Sequence, residues 1–196
     1  MMSQHIEIEF KNLLTKEEFI RLTSYLKFQP KDFKKQINHY IDTPDFSLKE
    51  QGCALRVRKK LTHYELTLKQ PASTGLLETN QTISEAEAES IIKTGKIPTG
   101  PVEKALAPLL PDIDSLLYFG SLTTERAEKE FQGGLIVLDN SVYLGTEDFE
   151  IEYEVLDEAT GYPIFKNLLE QLNIPIRKTD NKIMRFYKKK VSEPRP

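Results

Sequence analysis

A single cysteine, Cys53, stands in a chain of 196 residues. One thiol excludes an internal disulfide framework and a cysteine-rich zinc site. Histidine is nearly as scarce: His5, His39 and His63 lie far apart, without the spacing of metal ligands, and read as surface or strand residues. No apolar run approaches the length of a membrane span. The N-terminus also lacks the basic-then-apolar segment of a secretory leader. The expectation is a soluble, cytoplasmic protein with no membrane partner. An excess of either charge is missing too: 27 basic residues face 30 acidic ones for a net charge of −3, which argues against a general nucleic-acid binder. Repeats, low-complexity tracts and linkers are absent, and the length favours one domain spanning residues 1–196.

What is present is alternation. Ile6, Ile8 and Phe10 fall on one side of an N-terminal stretch, and Glu7, Glu9 and Lys11 on the other. A period of two is that of a β-strand, and groups one pleat apart are roughly 7 Å from each other. Thr15 and Glu18 have capping-box spacing ahead of an apolar pattern that predicts a helix over 16–27. A strand is expected at 35–42, followed by a turn at Thr43-Pro44-Asp45. In the next strand Arg56, Arg58 and Lys60 oppose Leu55 and Val57, and at 64–69 Glu65, Thr67 and Lys69 oppose Leu66 and Leu68. The segment Leu76–Ile83, carrying Glu78, returns as a hairpin partner. Ser84 and Glu87 form a second capping box for a helix that Gly95 ends. Pro101 opens a short helix toward Leu110, with a bend or stop at Pro108. Strands are expected at 117–131, 135–143 and 148–156, the last carrying Glu150, Glu152 and Glu154 on one face. A helix near 161–172 follows, and 178–190, with Lys182 and Arg185, is read as a final strand.

The signs segregate: the first strand and 148–156 are rich in carboxylates, the 54–60 strand in guanidinium and ammonium groups. Two arrangements fit. In a two-layer fold the charged faces meet water; in a closed barrel the apolar faces pack outward on the helices and the charged faces line the inside. Burying one ion in dry protein costs of order 20 kcal/mol before relaxation and still several after it. A charged lining therefore calls for water or for matching ligands. Carboxylate clusters suit a hard divalent cation, and Arg and Lys suit phosphate oxygens. Together they suit a metal-complexed polyphosphate.

These residues, in this order, resemble the CYTH domain, the family of class IV adenylate cyclases and thiamine triphosphatases also called triphosphate tunnel metalloenzymes. The Glu-x-Glu-x-Lys signature stands at Glu7, Glu9 and Lys11. Further matches are Tyr40-Ile41-Asp42-Thr43, Leu55-Arg56-Val57-Arg58, Leu66-Thr67-Leu68-Lys69, Glu78, Arg126, Asp139, Glu150, Glu152, Glu154 and Asn181-Lys182-x-x-Arg185. The resemblance covers nearly the whole chain and is nearest to the small single-domain bacterial members. It implies an α+β fold: an eight-stranded antiparallel closed β-barrel with helices packed on the outside. It further implies one or two divalent ions, Mg²⁺ or Mn²⁺, held by Glu7, Glu9, Glu78, Asp139, Glu150 and Glu152. Phosphates would be clamped by Lys11, Arg56, Arg58, Lys69, Arg126, Lys182 and Arg185, with Lys11 and Tyr40 orienting or deprotonating the attacking water. A positive charge on Lys11, favoured beside Glu7 and Glu9, is wrong for a base, so a water activated at a metal–carboxylate site is the other candidate.

The function expected is a metal-dependent triphosphatase acting on inorganic triphosphate or a small organic triphosphate, with no nucleic-acid partner. An adenylate cyclase is the alternative on the same framework, although no segment announces a purine pocket. A non-catalytic polyphosphate or nucleotide sensor is the other, disfavoured by the retained carboxylates. The sequence sets neither the natural substrate nor the oligomeric state.

Overall fold

The computed structural model describes residues 2–60 and 63–192. Eight strands are present: β1 (Met2–Leu14), β2 (Lys34–Asp42), β3 (Ala54–Lys59), β4 (Tyr64–Pro71), β5 (Leu76–Ile83), β6 (Leu117–Phe131), β7 (Gly134–Tyr143) and β8 (Thr146–Val155). The helices are α1 (Lys16–Tyr25), α2 (Ser47–Glu50), α3 (Glu85–Thr94), α4 (Pro101–Leu106), α5 (Glu158–Gln171) and α6 (Lys182–Ser192). The hydrogen-bonded strand order is a closed barrel, β1-β5-β4-β3-β2-β6-β7-β8. The barrel expected from the resemblance is the fold observed.

Local signals set the helix ends. Thr15 Oγ1 accepts from the Glu18 N–H at 3.2 Å and Glu18 Oε2 accepts from the Thr15 N–H at 2.8 Å. This reciprocal cap satisfies two of the donors that a helix start leaves open. Ser84 and Glu87 repeat the device at 3.2 and 2.7 Å. Gly95 then closes α3 in the left-handed region, at φ +74°, its N–H donating to the Ile91 carbonyl at 2.8 Å. The α4 helix stops at Leu106, short of the expected Leu110. Pro108 has no N–H to give the Lys104 carbonyl, and the chain tightens so that the Leu109 N–H reaches Leu106 O at 2.8 Å.

The chain divides into two compact units, one of residues 1–6 and 36–122 and the other of 7–35 and 123–196. In the first, β2 to β5 form an antiparallel meander. Ile41, Leu55, Val57, Leu66, Leu68 and Ile83 point to one side of it, where they pack with Ala88 and Ile91 of α3 and Val102 and Leu106 of α4. In the second, β1, β8, β7 and β6 are paired in that order. Ile136, Leu138, Ile151 and Tyr153 pack with Leu22 of α1 and Phe165, Leu168 and Leu169 of α5. Each fully buried Leu or Ile is worth roughly 1.5–3 kcal/mol of transfer free energy, so the apolar faces fix which side of each sheet the helices cover. Since successive side chains alternate, every charged residue between them is turned to the other side.

Two expectations are corrected. The segment read as a final strand is α6. Lys182 and Arg185 are three residues apart, a spacing that shares a face on a helix and splits across faces on a strand. Ile183, Phe186 and Tyr187 are the buried positions, spaced three and four apart as a helix requires. The helix expected near 161–172 begins at Glu158, with Asp157 Oδ2 accepting from the Thr160 N–H at 2.8 Å. Gly161 and Pro163 lie inside it. Gly161 is a close approach: a Cβ there would meet Val155 at 2.7 Å and Phe10 at 3.0 Å.

Gly95 combines a left-handed backbone with contact, since a Cβ would lie 1.7 Å from the Leu116 carbonyl oxygen. Gly95→Ala is expected to destabilise the protein by at least about 1–3 kcal/mol, read as a lower urea midpoint. An unchanged midpoint would contradict this packing.

Candidate active site

In the first unit the sheet face turned away from α3 and α4 is built by register. Lys69 is paired with Ala54 on β3 and Glu78 on β5; Arg56 is opposite Thr67, and Tyr40 opposite Arg56. Arg56, Arg58, Lys69, Tyr40 and Glu78 therefore share this face. Lys69 Nζ pairs with Glu78 Oε1 at 2.5 Å, Arg56 Nη2 lies 3.8 Å from the same oxygen, and His5 is 3.5 Å from Glu78 Oε2. Arg58 Nε donates to Asn38 Oδ1 at 2.8 Å. Arg56 Nε is buried without a hydrogen-bond partner among the described residues. Burial would raise the Glu78 carboxyl, but Lys69 and Arg56 outweigh it and hold it down at about 2. Lys60 turns to Glu65 at 2.9 Å, and its neighbour Lys59 lies over the Tyr64 ring.

In the second unit the corresponding face is dominated by carboxylates. Glu9 is opposite Glu154, Lys11 opposite Glu152, Leu13 opposite Glu150, and Glu150 opposite Asp139. Two groups of three result. Glu7, Glu9 and Glu154 bring carboxylate oxygens within 4.8 Å of one another, and so do Asp139, Glu150 and Glu152. Lys11 pairs with Glu9. Burial works to lower the Lys11 ammonium, yet Glu9, Glu152 and Glu150 together raise it above its ordinary value. Burial pushes Glu154 up to about 7, with Arg126 opposing and Glu152, Glu7 and Glu9 reinforcing.

The second group is more deeply buried and filled with protein cations. Arg126 makes a two-pronged contact with Asp139 at 2.8 and 2.6 Å and reaches Glu152 at 2.8 Å. Lys182 Nζ touches Asp139 at 2.8 Å, Glu150 at 2.5 Å and also Glu152. Arg185 Nη1 binds Glu150 at 2.5 Å, and its Nε binds Asp148 at 2.9 Å. Against burial, Lys182 and Arg126 hold Glu152 well below the usual carboxylate range. For Glu150 burial wins: opposed by Lys182 and reinforced by Glu152, it lifts the group to about 7.

The sequence-derived residues are thus sorted. Arg56, Arg58, Lys69 and Tyr40 stand together, with Glu78 among cations and in neither carboxylate triad. Glu7 and Glu9 are joined by Glu154, while Asp139, Glu150 and Glu152 form a second group with Arg126, Lys182 and Arg185. Asp148 escaped sequence reasoning, although it continues the alternation of Glu150, Glu152 and Glu154; it binds Arg185 and accepts from the Tyr143 hydroxyl at 2.7 Å. Asp42 was also missed as a structural carboxylate. It accepts from the backbone N–H groups of Thr43, Leu48 and Lys49 at 2.8, 3.0 and 3.1 Å, capping α2.

A closed antiparallel barrel whose strand faces turned from the two apolar cores carry opposed charges defines an architectural class. The CYTH domain model matches residues 5–187, and the chain belongs to that family. It is 53% identical over 189 residues to a Bacillus subtilis protein named "Putative triphosphatase YjbK", covering 96% of this chain and 98% of that one. A Bacillus halodurans crystal structure described as a "putative adenylate cyclase" has a TM-score of 0.91 and 46% identity, covering 94% of this chain and 98% of the other. A Hippeastrum protein, HpAC1, described as a "putative adenylyl cyclase" that reveals a dominant triphosphatase activity, shares the fold at a TM-score of 0.75 and 20% identity, over 93% and 96% of the two chains.

Because Glu78 sits below its ordinary value of 4.5, the stability it contributes is present above about pH 4.5 and lost as the pH falls toward 2. The melting-temperature gap between wild type and Glu78→Gln is expected to narrow from pH 6 to pH 2.5. A constant or widening gap contradicts the pairing with Lys69 and Arg56.

Proposed function

We propose that this protein is a divalent-metal-dependent triphosphatase that hydrolyses a phosphoanhydride of inorganic triphosphate or a small organic triphosphate, both units serving one catalytic domain. The observation that carries the reading is the division of charge. Arg56, Arg58 and Lys69 share a face with Glu78, and Arg56 keeps an unpartnered buried donor. In the second unit, the named acids Glu7, Glu9, Glu154, Asp139, Glu150, Glu152 and Asp148 outnumber the named cations Lys11, Arg126, Lys182 and Arg185. A polyanion answers the first surplus and a cation the second. Membership of the CYTH family and the 53% identity to the B. subtilis protein support the same reading.

The all-oxygen donor set of Glu7, Glu9 and Glu154 fits a hard cation such as Mg²⁺ or Mn²⁺. When bound, such an ion supplies charge neutralisation to phosphate oxygens and lowers the pKa of a coordinated water. The protein's own groups do the rest. Arg56, Arg58 and Lys69 bind phosphate oxygens, with Arg56 Nε supplying a donor at no loss of an existing bond. Lys11, kept as an ammonium by Glu9, orients the substrate or the attacking water through N–H donation and does not accept its proton. Tyr40, opposite Arg56, positions that guanidinium. Arg126, Lys182 and Arg185 hold the second carboxylate group.

The test is phosphate release from tripolyphosphate, ATP and thiamine triphosphate, each with Mg²⁺, with Mn²⁺ and with chelator. Metal-dependent release is expected. Glu9→Gln should abolish it while leaving the circular dichroism unchanged. Arg56→Ala should raise KM about 10- to 100-fold, the size of a lost charged hydrogen bond worth roughly 1.5–3 kcal/mol. Unchanged affinity in Arg56→Ala would sink the clamp assignment. Cyclic AMP and pyrophosphate from ATP would instead favour the cyclase reading, which the description of the B. halodurans structure keeps in view.

A further inference from the structure

The two carboxylate groups are not equivalent toward a cation. Around Asp139, Glu150 and Glu152 all six carboxylate oxygens are already engaged by protein nitrogens. Asp139 Oδ1 accepts from Arg126 Nε at 2.8 Å, and Oδ2 from Arg126 Nη2 at 2.6 Å and Lys182 Nζ at 2.8 Å. Glu150 Oε1 accepts from Lys182 Nζ at 2.5 Å and Oε2 from Arg185 Nη1 at 2.5 Å. Glu152 Oε1 is bound by Lys182 and Oε2 by Arg126 Nη2 at 2.8 Å. Lys182 Nζ is the atom that touches all three side chains, as a coordinated ion would.

A divalent ion would compete with that ammonium for the same place, since Mg²⁺ takes ligands at about 2.0–2.1 Å and an ion reaching all three side chains would have to stand where Lys182 Nζ stands. Nor is Lys182 easily withdrawn. It opens α6, which is anchored by buried Ile183, Phe186 and Tyr187 and, one turn on, by Arg185 bound to Glu150 and Asp148. At the other group, Lys11 reaches the triad through Glu9.

We propose that Lys182 is a built-in cation that closes the Asp139–Glu150–Glu152 group to divalent ions, so that the substrate-free chain binds one such ion, through Glu7, Glu9 and Glu154. The inference rests on the metal-dependent reading above and adds to it the stoichiometry and the residue that sets it. It separates two roles that a run of acidic residues in sequence leaves merged: one triad is a metal site, and the other is an internal salt-bridge cluster that carries α6.

The experiment is a Mn²⁺ titration of metal-free protein at pH 8 without substrate, counting bound ions by electron paramagnetic resonance. One ion per chain is expected for the wild type and for Lys182→Arg, and two for Lys182→Met. Should Lys182→Met fail to fold, Asp139→Asn decides: it is expected to keep the single ion with affinity within about twofold, while Glu9→Gln weakens it by about tenfold or more. Two ions in the wild type, one in a folded Lys182→Met, or loss of the ion in a folded Asp139→Asn overturns the inference and leaves the triphosphatase reading standing. No ion in the wild type, with phosphate release indifferent to chelator, overturns that reading itself.

Discussion

Charge turned away from water must find opposite charge within a few ångströms, because the desolvation of each ion costs several kcal/mol even after the protein relaxes. In this protein that constraint falls on the sheet faces turned from the two apolar cores. Asp139 and Glu150 are fully buried there, and a carboxylate so placed is tolerable only when its lone pairs are filled. Arg126, Lys182 and Arg185 fill them. Removing one partner would leave a buried charge uncompensated, a loss that typically costs about 3–5 kcal/mol. The cluster therefore holds the C-terminal helix as firmly as an apolar contact would.

The same constraint separates structural from chemical charge. A group whose oxygens are all bonded to protein donors contributes architecture, and one with donors or acceptors to spare invites a ligand. Glu78 belongs to the cationic face of the first unit and draws Lys69 and Arg56 toward one oxygen, whose negative charge offsets the repulsion between them. Arg56 Nη2 faces Glu78, and its Nε remains to be satisfied among the described residues. A fork so placed is the guanidinium geometry that suits a phosphate oxygen.

Much of this was legible in the residues. The ranges of β5 and β6 follow from their flanks, a Pro/Ser/Thr/Gly loop ahead of Leu76 and the Gly133-Gly134 turn after Phe131, and the caps of α1 and α3 follow from Thr15–Glu18 and Ser84–Glu87. The misreadings have physical causes. The positive run at 188–190 obscures the i, i+3, i+4 spacing of Ile183, Phe186 and Tyr187, so α6 passed for a strand. Gly161 and Pro163 look like a helix boundary, yet the glycine is there for close packing and the proline falls one turn into α5. Register is invisible in a single sequence. Nothing local says that Glu78 faces Lys69 while Glu154 faces Glu9, and so the six expected metal ligands could not be divided among three environments. Asp139 is flanked on its face by Val137 and Leu135, and only its pairing with Arg126 and Glu150 identifies it as part of a charged cluster.

The proposed triphosphatase needs a divalent ion at Glu7, Glu9 and Glu154 and phosphate oxygens at the cationic face of Arg56 and Lys69. The most direct measurement is anomalous diffraction from crystals grown with Mn²⁺ and a non-hydrolysable triphosphate analogue. A manganese peak bonded to Glu9 and Glu154, with phosphate oxygens against the Arg56 guanidinium, is the predicted result. Triphosphate bound instead to surface lysines such as Lys188 or Lys190, with Glu9 and Arg56 untouched, would contradict it.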